Sequence, residues 1–208
     1  IRSARCSFPS VDAACQAVMA TIQYGIPVAR IELLDQLSVS AANTYSKLDL
    51  PETPLLLLEF HGSEAGVAEQ SATFGEIAGE FGGSGFDATS STEERSRLWQ
   101  ARHDMYWACL GLRPGAKGIS TDVCVPISRL AECVVAAQEK AAQEGLIAPM
   151  VGHVGDGNFH ALLLIDMDEP EEIAKAEHYV GWLNDLAISM AGTCTGEHGI
   201  GQGKRPYL

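Results

Sequence analysis

The apolar positions along the chain follow two spacings, one typical of strands and one typical of helices. Short apolar runs such as Leu55–Phe60 indicate buried strands. Apolar residues three and four positions apart indicate amphipathic helices packed against them. Boundary residues support this interpretation, since Ser10 can cap a helix over Ala13–Tyr24, Ser128 can begin a later one, and Gly145 can end it.

The same pattern predicts seven strands and six helices. The strands are Ala4–Phe8, Val28–Leu33, Leu55–Phe60, Ser84–Ala88, Ile119–Val125, Ile147–Val151 and Ala161–Ile165. The helices are Ala13–Tyr24, Asp35–Tyr45, Glu64–Phe81, Thr92–Leu112, one from Ser128 to Gly145 and one from Asp168 to Met190. This order predicts an α+β fold, a largely antiparallel sheet with helices on one face and ferredoxin-like halves. No linker divides residues 1–208, so we expect one domain.

Composition and charge exclude several classes of protein. The 208 residues are 46% apolar, enough to bury about 70% of the unfolded surface. A net charge of −13 argues against nucleic-acid binding, and no apolar run is long enough for a transmembrane segment. Six cysteines without a CxxC pair indicate reduced thiols and a cytoplasmic protein, with peripheral attachment to the inner membrane left open. Because the chain starts at Ile1, without a Met and close to a predicted strand, and stops at Leu208 soon after the segment GEHGIG, we expect it to be part of a longer protein.

Two histidines bracket a glycine-rich turn in the segment GHVGDGNFH, residues 152–160, and a Glu-His pair follows in GEHGIG, residues 196–201. Apolar runs flank the turn, so the pattern predicts a hairpin that places His153 and His160 on paired strands, where neighbours lie about 5 Å apart. With Glu197 they form a set of two imidazoles and one carboxylate, which suits a divalent metal with open coordination positions.

The glycine clusters do not predict a nucleotide site. The segment GIGQGK at 199–204 resembles a phosphate loop, but the residues that flank it do not fit. A phosphate loop requires glycine at 198 and Ser or Thr at 205, and the chain has His198 and Arg205. The segment GGSG at 82–85 precedes a strand, whereas a dinucleotide fingerprint follows one. We therefore interpret these glycines as turn residues.

Three ordered segments closely resemble the C-terminal region of FAD-linked 2-hydroxy-acid dehydrogenases of the vanillyl-alcohol oxidase type. They are GHVGDGNFH (152–160), GTCTGEHGIG (192–201) and RPGAKGISTDVCVP (113–126), and the last is most similar to the D-lactate dehydrogenase (cytochrome) branch. In this family an N-terminal domain holds FAD and the C-terminal region forms a cap over the flavin. The resemblance implies that the chain is this cap domain and that the flavin-binding domain lies outside it.

The resemblance also implies roles for individual residues. It assigns the metal, which we expect to be zinc, manganese or iron, to His153, His160 and Glu197. His198 matches the histidine beside the substrate hydroxyl and would act as the general base. The substrate-binding residues would be Arg102, which matches the arginine that holds the substrate carboxylate, Tyr106, which lies four positions on along the same helix, and Asn158.

The substrate class follows from a departure from one branch of the family. In the 2-hydroxyglutarate branch a lysine takes part from the strand near Ser120, but this chain has Ser120-Thr121-Asp122. Without a partner for a second carboxylate, we expect a small 2-hydroxy monocarboxylate such as D-lactate. The electron acceptor is not indicated.

Several alternatives stay open from the residues alone. His198 could be the ligand in place of Glu197. The same ligand set could serve a metal-dependent hydrolase or a non-haem iron oxygenase, although the helix-rich pattern disfavours the oxygenase. The chain could also be a catalytically inert binding module. His61 and His103 are expected to have no role in chemistry.

Overall fold

A computed structural model describes residues 1–208. The strands are β1 (Arg2–Ser7), β2 (Val28–Leu34), β3 (Leu55–Phe60), β4 (Ser84–Thr89), β5 (Lys117–Ser120), β6 (Val123–Cys124), β7 (Met150–Gly152) and β8 (Asn158–Ile165). The helices are α1 (Val11–Gln23), α2 (Gln36–Ser46), α3 (Glu64–Glu80), α4 (Thr92–His103), α5 (Met105–Leu110), α6 (Leu130–Glu144) and α7 (Pro170–Ser189).

The strands form one antiparallel sheet in the order β4-β1-β3-β2-β7-β8-β5, and β6 also pairs with β8. The first half, β1-α1-β2-β3-α3-β4, has the strand order of a ferredoxin-like unit, with α2 inserted between β2 and β3. In the second half, β5, β8 and β7 repeat part of that order. A short pairing of Leu33 with Gly152 and Leu34 with Val151 joins the two halves. The predicted α+β class and antiparallel sheet are confirmed.

The sheet separates two hydrophobic cores. Helices α1, α3, α6 and α7 pack on one face and enclose the larger core, which includes Leu56 and Leu58 of β3. Helices α2, α4 and α5 pack on the opposite face and enclose a smaller core with Leu55 and Leu57. The side chains of β3 alternate between the two cores because successive strand residues point to opposite faces. The sequence predicts helices on one face of the sheet, and the four helices of the larger group do lie on one face. The three helices of the smaller group differ from this prediction because they cover the opposite face.

Several predicted boundaries differ from the structure, three of them at a turn or an interruption within the predicted element. The helix predicted over Thr92–Leu112 is interrupted at Asp104, whose carboxylate accepts hydrogen bonds from the Gln100 side-chain amide and whose backbone leaves the helical region. The strand predicted over Ile119–Val125 is divided between β5 and β6, because Asp122 turns away from the ladder toward a distant loop. Ser128 does not cap α6, since a 3₁₀ turn over Ile127–Arg129 precedes that helix.

The predicted start of α1 and the predicted end of α6 are confirmed. The Ser10 hydroxyl accepts a hydrogen bond from the Ala13 N–H, at 3.1 Å, and so caps α1. Gly145 ends α6 in a left-handed conformation, with φ of 69°. All six cysteine thiols are free.

Candidate metal and substrate site

A cavity of about 530 Å³ opens beside the junction of the two halves of the sheet. Its walls come from β2, α4, α5, the β7–β8 hairpin and the loop after α7. Six of the residues predicted to form the site line it: Arg102, Tyr106, His153, His160, Glu197 and His198. Segments far apart in the chain thus meet here, as the prediction required.

The β7–β8 hairpin exists, but its register differs from the predicted one. His160 lies opposite Val151, and His153 lies just beyond the end of β7. A 3₁₀ turn over residues 154–156 follows and ends at Gly157, where φ is 79°. The two histidines are therefore not cross-strand neighbours. Instead, both contact the same third residue.

That third residue is Glu197, whose carboxylate lies between the two imidazoles. Its Oε2 is 3.5 Å from His153 Nε2, and its Oε1 is 3.0 Å from His160 Nε2. Residues separated by up to 44 positions in the sequence thus meet at Glu197, which contacts one ring nitrogen of each histidine through a different carboxylate oxygen.

The hydrogen bonds of both rings show which nitrogen is available. His160 Nδ1 donates to the Thr121 carbonyl oxygen, at 2.9 Å, and His153 Nδ1 donates to the Glu32 carboxylate. Each neutral ring consequently turns the lone pair of its Nε2 toward Glu197, which has only acceptor atoms. A cation between these atoms would satisfy all three groups. This is the pattern of metal-binding histidines, which commonly donate the other ring N–H to a carboxylate or a carbonyl.

The distances also suit a metal. Ligand atoms about 2.0–2.2 Å from a tetrahedral ion lie about 3.3–3.6 Å apart, and the two contacts of Glu197 are 3.0 and 3.5 Å. Burial lowers the pKa of His160, which favours the neutral ring that a metal binds. The hydrogen bond that His153 donates to the Glu32 carboxylate raises the pKa of His153, so a metal at its Nε2 would have to displace a proton more readily bound than usual. The types of ligand and the contacts of Glu197 fit a divalent metal.

A fully buried carboxylate, Asp122, holds the loop that carries Glu197 and His198. It accepts the backbone N–H groups of Gly196, Glu197 and His198 at 2.8–3.2 Å and the Thr195 hydroxyl at 2.8 Å. Burial opposes ionisation, but these donors outweigh it and hold the pKa of Asp122 well below its usual range. Only glycine fits at 196, because a Cβ there would overlap the Asn158 amide.

The Asp122 carboxylate also lies near a possible metal-ligand group. Asp122, His160, Glu197 and His198 each offer an atom within 4.8 Å of the others, and this set differs from the predicted one because it contains Asp122 and His198 and does not contain His153. Since the Asp122 oxygens already accept the hydrogen bonds of the loop, we assign it to anchoring that loop.

His198 stacks on His160, with ring centroids 4.9 Å apart and planes inclined by 9°. Its Nε2 lies 3.8 Å from Glu197 Oε1, and about half of its side chain is exposed. It lines the cavity beside the predicted ligands. This position suits a group that exchanges a proton with a substrate and then with solvent.

On the opposite wall, Arg102 donates from Nε to the buried Glu32 carboxylate, at 2.9 Å. Its terminal nitrogens form no hydrogen bond within the chain, so they are available to an anionic ligand. Tyr106 lines the same cavity and contacts Trp107 edge to face, with centroids 5.2 Å apart. The interruption of the helix at Asp104 separates Arg102 from Tyr106 without removing either from the cavity.

The structure does not support the predicted contact of Asn158 with substrate. Its side chain is buried, and its amide nitrogen donates to Asp122 Oδ1 and to the Val123 carbonyl oxygen, both at 2.9 Å. Asn158 is absent from the cavity wall. It supports the loop at residues 195–198 through Asp122.

Several residues of the site were not predicted. Glu32, Trp99 and Arg30 line the cavity, and so does His103, which was expected to have no role. The Arg30 guanidinium stacks 3.6 Å from the Trp99 ring centre and pairs with Glu59 at 3.1 Å. One sequence signal could have identified Glu32. A charged residue within a buried apolar strand is costly unless it is paired, so its presence indicates a partner.

Comparison with known proteins places these observations in a family. Residues 1–208 match the family of the C-terminal domain of FAD-linked oxidases. The probable mitochondrial D-lactate dehydrogenase of Danio rerio is 47% identical over 206 residues, which are 99% of this chain and 41% of that protein. The mitochondrial D-lactate dehydrogenase [cytochrome] of Arabidopsis thaliana is 40% identical over 98% of this chain and 36% of its own length.

A solved structure supports the fold. The 4-ethylphenol oxidase of Gulosibacter chungangensis has a TM-score of 0.65 at 14% identity, over 89% of this chain and 44% of that one. The chain thus spans about two fifths of the curated relatives named above. No helix is both long enough and apolar enough to cross a bilayer. The cytoplasmic location stays a prediction, and both relatives are named as mitochondrial proteins.

Proposed function

The chain belongs to the family of FAD-linked oxidase C-terminal domains, and from this we propose that it is the substrate- and metal-binding domain of a flavin-dependent 2-hydroxy-acid dehydrogenase. The proposed reaction oxidises a D-2-hydroxy acid, D-lactate in the first instance, to the 2-oxo acid. The names of the relatives at 47% and 40% identity support this substrate. FAD supplies the hydride acceptor, and we expect a separate N-terminal domain to hold it.

One observation carries the proposal. A single cavity contains a guanidinium with free donors, a set of two imidazoles and one carboxylate, and an additional histidine. A 2-hydroxy acid offers a carboxylate and a hydroxyl on adjacent carbons, and it must lose a proton and a hydride. The cavity therefore has a binding group for the anion and a proton acceptor for the hydroxyl.

Arg102 would bind the substrate carboxylate through its terminal nitrogens. A guanidinium can hold a carboxylate with two parallel hydrogen bonds, which fixes orientation as well as position. Because Nε is already held by Glu32 at 2.9 Å, the plane of the guanidinium is set before substrate binds. This would determine which face of the substrate is presented for hydride transfer.

His198 would accept the hydroxyl proton at Nε2. Its ring is held in place by stacking on His160, and its partial exposure allows the proton to pass to solvent. His153, His160 and Glu197 would hold the divalent metal, which would supply Lewis-acid chemistry that makes the substrate hydroxyl more acidic. Electrons and protons then balance, because the substrate loses one proton to His198 and one hydride to the flavin.

The cavity favours a monocarboxylate. Ser120 lines the cavity. In the 2-hydroxyglutarate branch, a lysine from the strand near this position takes part in the site. The other cavity arginine, Arg30, already pairs with the buried Glu59 carboxylate and stacks on Trp99. Arg30 uses a terminal nitrogen, Nη2, for this ion pair, whereas Arg102 binds Glu32 through Nε and keeps both terminal nitrogens free. Arg30 therefore cannot hold a second substrate carboxylate through both of its terminal nitrogens.

The test is anaerobic reduction of the bound flavin in the full-length protein that contains this chain. D-Lactate should bleach the flavin absorbance, whereas L-lactate and D-2-hydroxyglutarate should do so much more slowly. Arg102→Ala should raise KM for D-lactate strongly, and Arg102→Lys should recover part of the loss because the charge is kept without the two-pronged geometry.

A flavin that no 2-hydroxy acid reduces would contradict the proposal. Faster reduction by D-2-hydroxyglutarate than by D-lactate would contradict the assignment of a monocarboxylate substrate. Metal-dependent ester hydrolysis without flavin reduction would instead favour the hydrolase alternative.

A further inference from the structure

Glu32 is a buried carboxylate in the middle of the sheet, on β2, between β3 and β7. It is 2% exposed, yet its neighbours on the strand are apolar. A carboxylate in such a place is destabilising unless charged or hydrogen-bonded partners compensate it. It therefore needs partners, and both of them belong to the site.

The two partners come from different elements of the cavity wall. Oε2 accepts a hydrogen bond from Arg102 Nε of α4 at 2.9 Å, and Oε1 accepts one from His153 Nδ1 in the turn after β7. The partners are 51 positions apart in the sequence, and each forms a hydrogen bond with this one carboxylate. Glu32 itself lines the cavity.

For His153, the bond determines which ring nitrogen carries the proton. With Nδ1–H donated to Glu32, the lone pair is on Nε2, which lies 3.5 Å from Glu197. Without this acceptor the ring could adopt the other tautomer or rotate, and Nε2 would no longer face the carboxylate.

For Arg102, the bond holds the guanidinium by its inner nitrogen and leaves the outer nitrogens free. The side chain is only 15% exposed, so its alternatives are restricted once Nε is bound. One oxygen of the Glu32 carboxylate thus positions the arginine proposed to bind substrate, and the other positions a histidine proposed to bind the metal.

We propose that Glu32 is a positioning residue that couples the substrate-binding arginine to the metal-binding histidine. Oε2 sets the guanidinium of Arg102 and Oε1 sets the imidazole of His153, so one carboxylate fixes the distance between the carboxylate-binding group and the metal ligands. The substrate half of this inference rests on the proposed function, whereas the metal half rests only on His153, His160 and Glu197.

Glu32→Gln separates this role from bulk and packing. Both partners donate hydrogen bonds, but glutamine has one acceptor and one donor at the end of the side chain. One partner must therefore face the NH₂ group and be released. We expect the metal dissociation constant to rise about 10–100-fold, the usual cost of removing a partner of a metal ligand, and KM for D-lactate to rise as well.

Glu59→Gln is the matched control. Glu59 is also buried, lies on the adjacent strand β3, and pairs with an arginine and a histidine, Arg30 at 3.1 Å and His61 at 2.7 Å. Its substitution removes a similar buried charge from the same sheet. We expect it to lower the melting temperature but to leave the metal dissociation constant within about twofold.

Glu32→Asp provides a second variant in case Glu32→Gln does not fold. Aspartate keeps the charge but is one methylene shorter, so it cannot reach both partners. We expect it to fold and to weaken metal binding, substrate binding or both beyond the change in Glu59→Gln.

Both quantities are measured in the full-length flavoprotein, the metal constant by titration with Zn²⁺ or Mn²⁺ and KM by flavin reduction. Metal binding in the Glu32 variants equal to that of the Glu59→Gln control would overturn the inference. Weaker metal binding with an unchanged KM would overturn the coupling to Arg102. If the wild type oxidised no 2-hydroxy acid but the metal effect persisted, the proposed function would fail while the role of Glu32 toward His153 would stand.

Discussion

The two halves of the sheet share part of one strand order but contribute differently to the site. The second half supplies His153, His160, Glu197 and His198, all on the hairpin or on the loop after α7. The first half supplies Glu32, which lies on β2. Arg102 lies on α4, the helix that follows the last strand of the first half. Two halves with a shared strand order therefore need not carry the same functional groups, because those groups lie in loops and at single buried positions of the strands.

The junction between the halves explains why both are needed. Only two residue pairs of β2 and β7 join the halves directly through the ladder, and Glu32 lies next to the first of them. The Glu32–His153 contact therefore crosses the junction where the cavity opens. A substitution at the junction should affect metal and substrate together, whereas one within either half should affect a single property.

The largest expected effect belongs to the second half. His198→Ala should lower the turnover number with D-lactate by about 10²–10⁴-fold, because it removes the proton acceptor. Metal content, measured by elemental analysis, should stay near that of the wild type. His103→Ala is the control, since His103 also lines the cavity but contacts none of the predicted ligands. Loss of metal in His198→Ala, with metal retained in Glu197→Ala, would exchange the roles of the two residues.

A smaller effect on stability and metal binding is expected at Asp122, whose carboxylate holds the loop at residues 195–198 within the second half. Asp122→Asn keeps the size of the side chain but places an amide donor against the N–H groups of residues 196–198. We expect the free energy of unfolding to fall by about 1.5–3 kcal/mol, with weaker metal binding because Glu197 is less well held.

The control for that change is Asp156→Asn, the same substitution in the exposed hairpin turn. It should alter the free energy of unfolding by no more than about 0.5 kcal/mol. Chemical denaturation of both variants gives the comparison. Equal stabilities would show that Asp122 does not anchor the loop.

The smallest expected effect lies in the second half but away from the cavity. Arg113 binds Glu172 through two hydrogen bonds, at 2.6 and 2.9 Å, and with the Asp166 N–H lowers the pKa of Glu172 to about 2. Since the folded-state pKa is below the unfolded value of about 4.3, the stabilisation is fully present above that value and is lost as pH falls toward 2.

Glu172→Gln should therefore lower the melting temperature slightly at neutral pH, and the difference from wild type should shrink below about pH 4.3. Neighbouring Glu171 is exposed and provides the control variant Glu171→Gln. Metal affinity should not change in either. A difference in melting temperature that grows on acidification would contradict the assigned sign.

Much of the fold could be predicted because it depends on local patterns. The run Leu55–Phe60 was predicted with the bounds that the structure shows, since six consecutive buried residues leave little ambiguity. The division at Asp122 could not be predicted, because the Asp122 carboxylate accepts N–H groups that lie 74 to 76 positions away in the sequence. Periodicity does not record such contacts.

The candidate site divides in the same way. His153, His160 and Glu197 were identified because turn residues and ligand types lie close together in short segments. Glu32 was missed because it is one residue within a strand whose partners lie 70 and 121 positions away. The hairpin register was predicted incorrectly because the turn contains a 3₁₀ segment that displaces His153 from the ladder.

His153, His160 and Glu197, all from the second half of the sheet, are proposed to form one metal site, and Glu32 holds His153 from the other side of the junction. Titration of the metal-free, full-length protein with Zn²⁺ or Mn²⁺, followed by calorimetry and melting temperature, tests this proposal most directly. We predict one bound metal per chain and a rise in melting temperature by linkage, both abolished in His153→Ala and His160→Ala and both kept in His103→Ala. Unchanged metal binding in His153→Ala and His160→Ala would contradict the account.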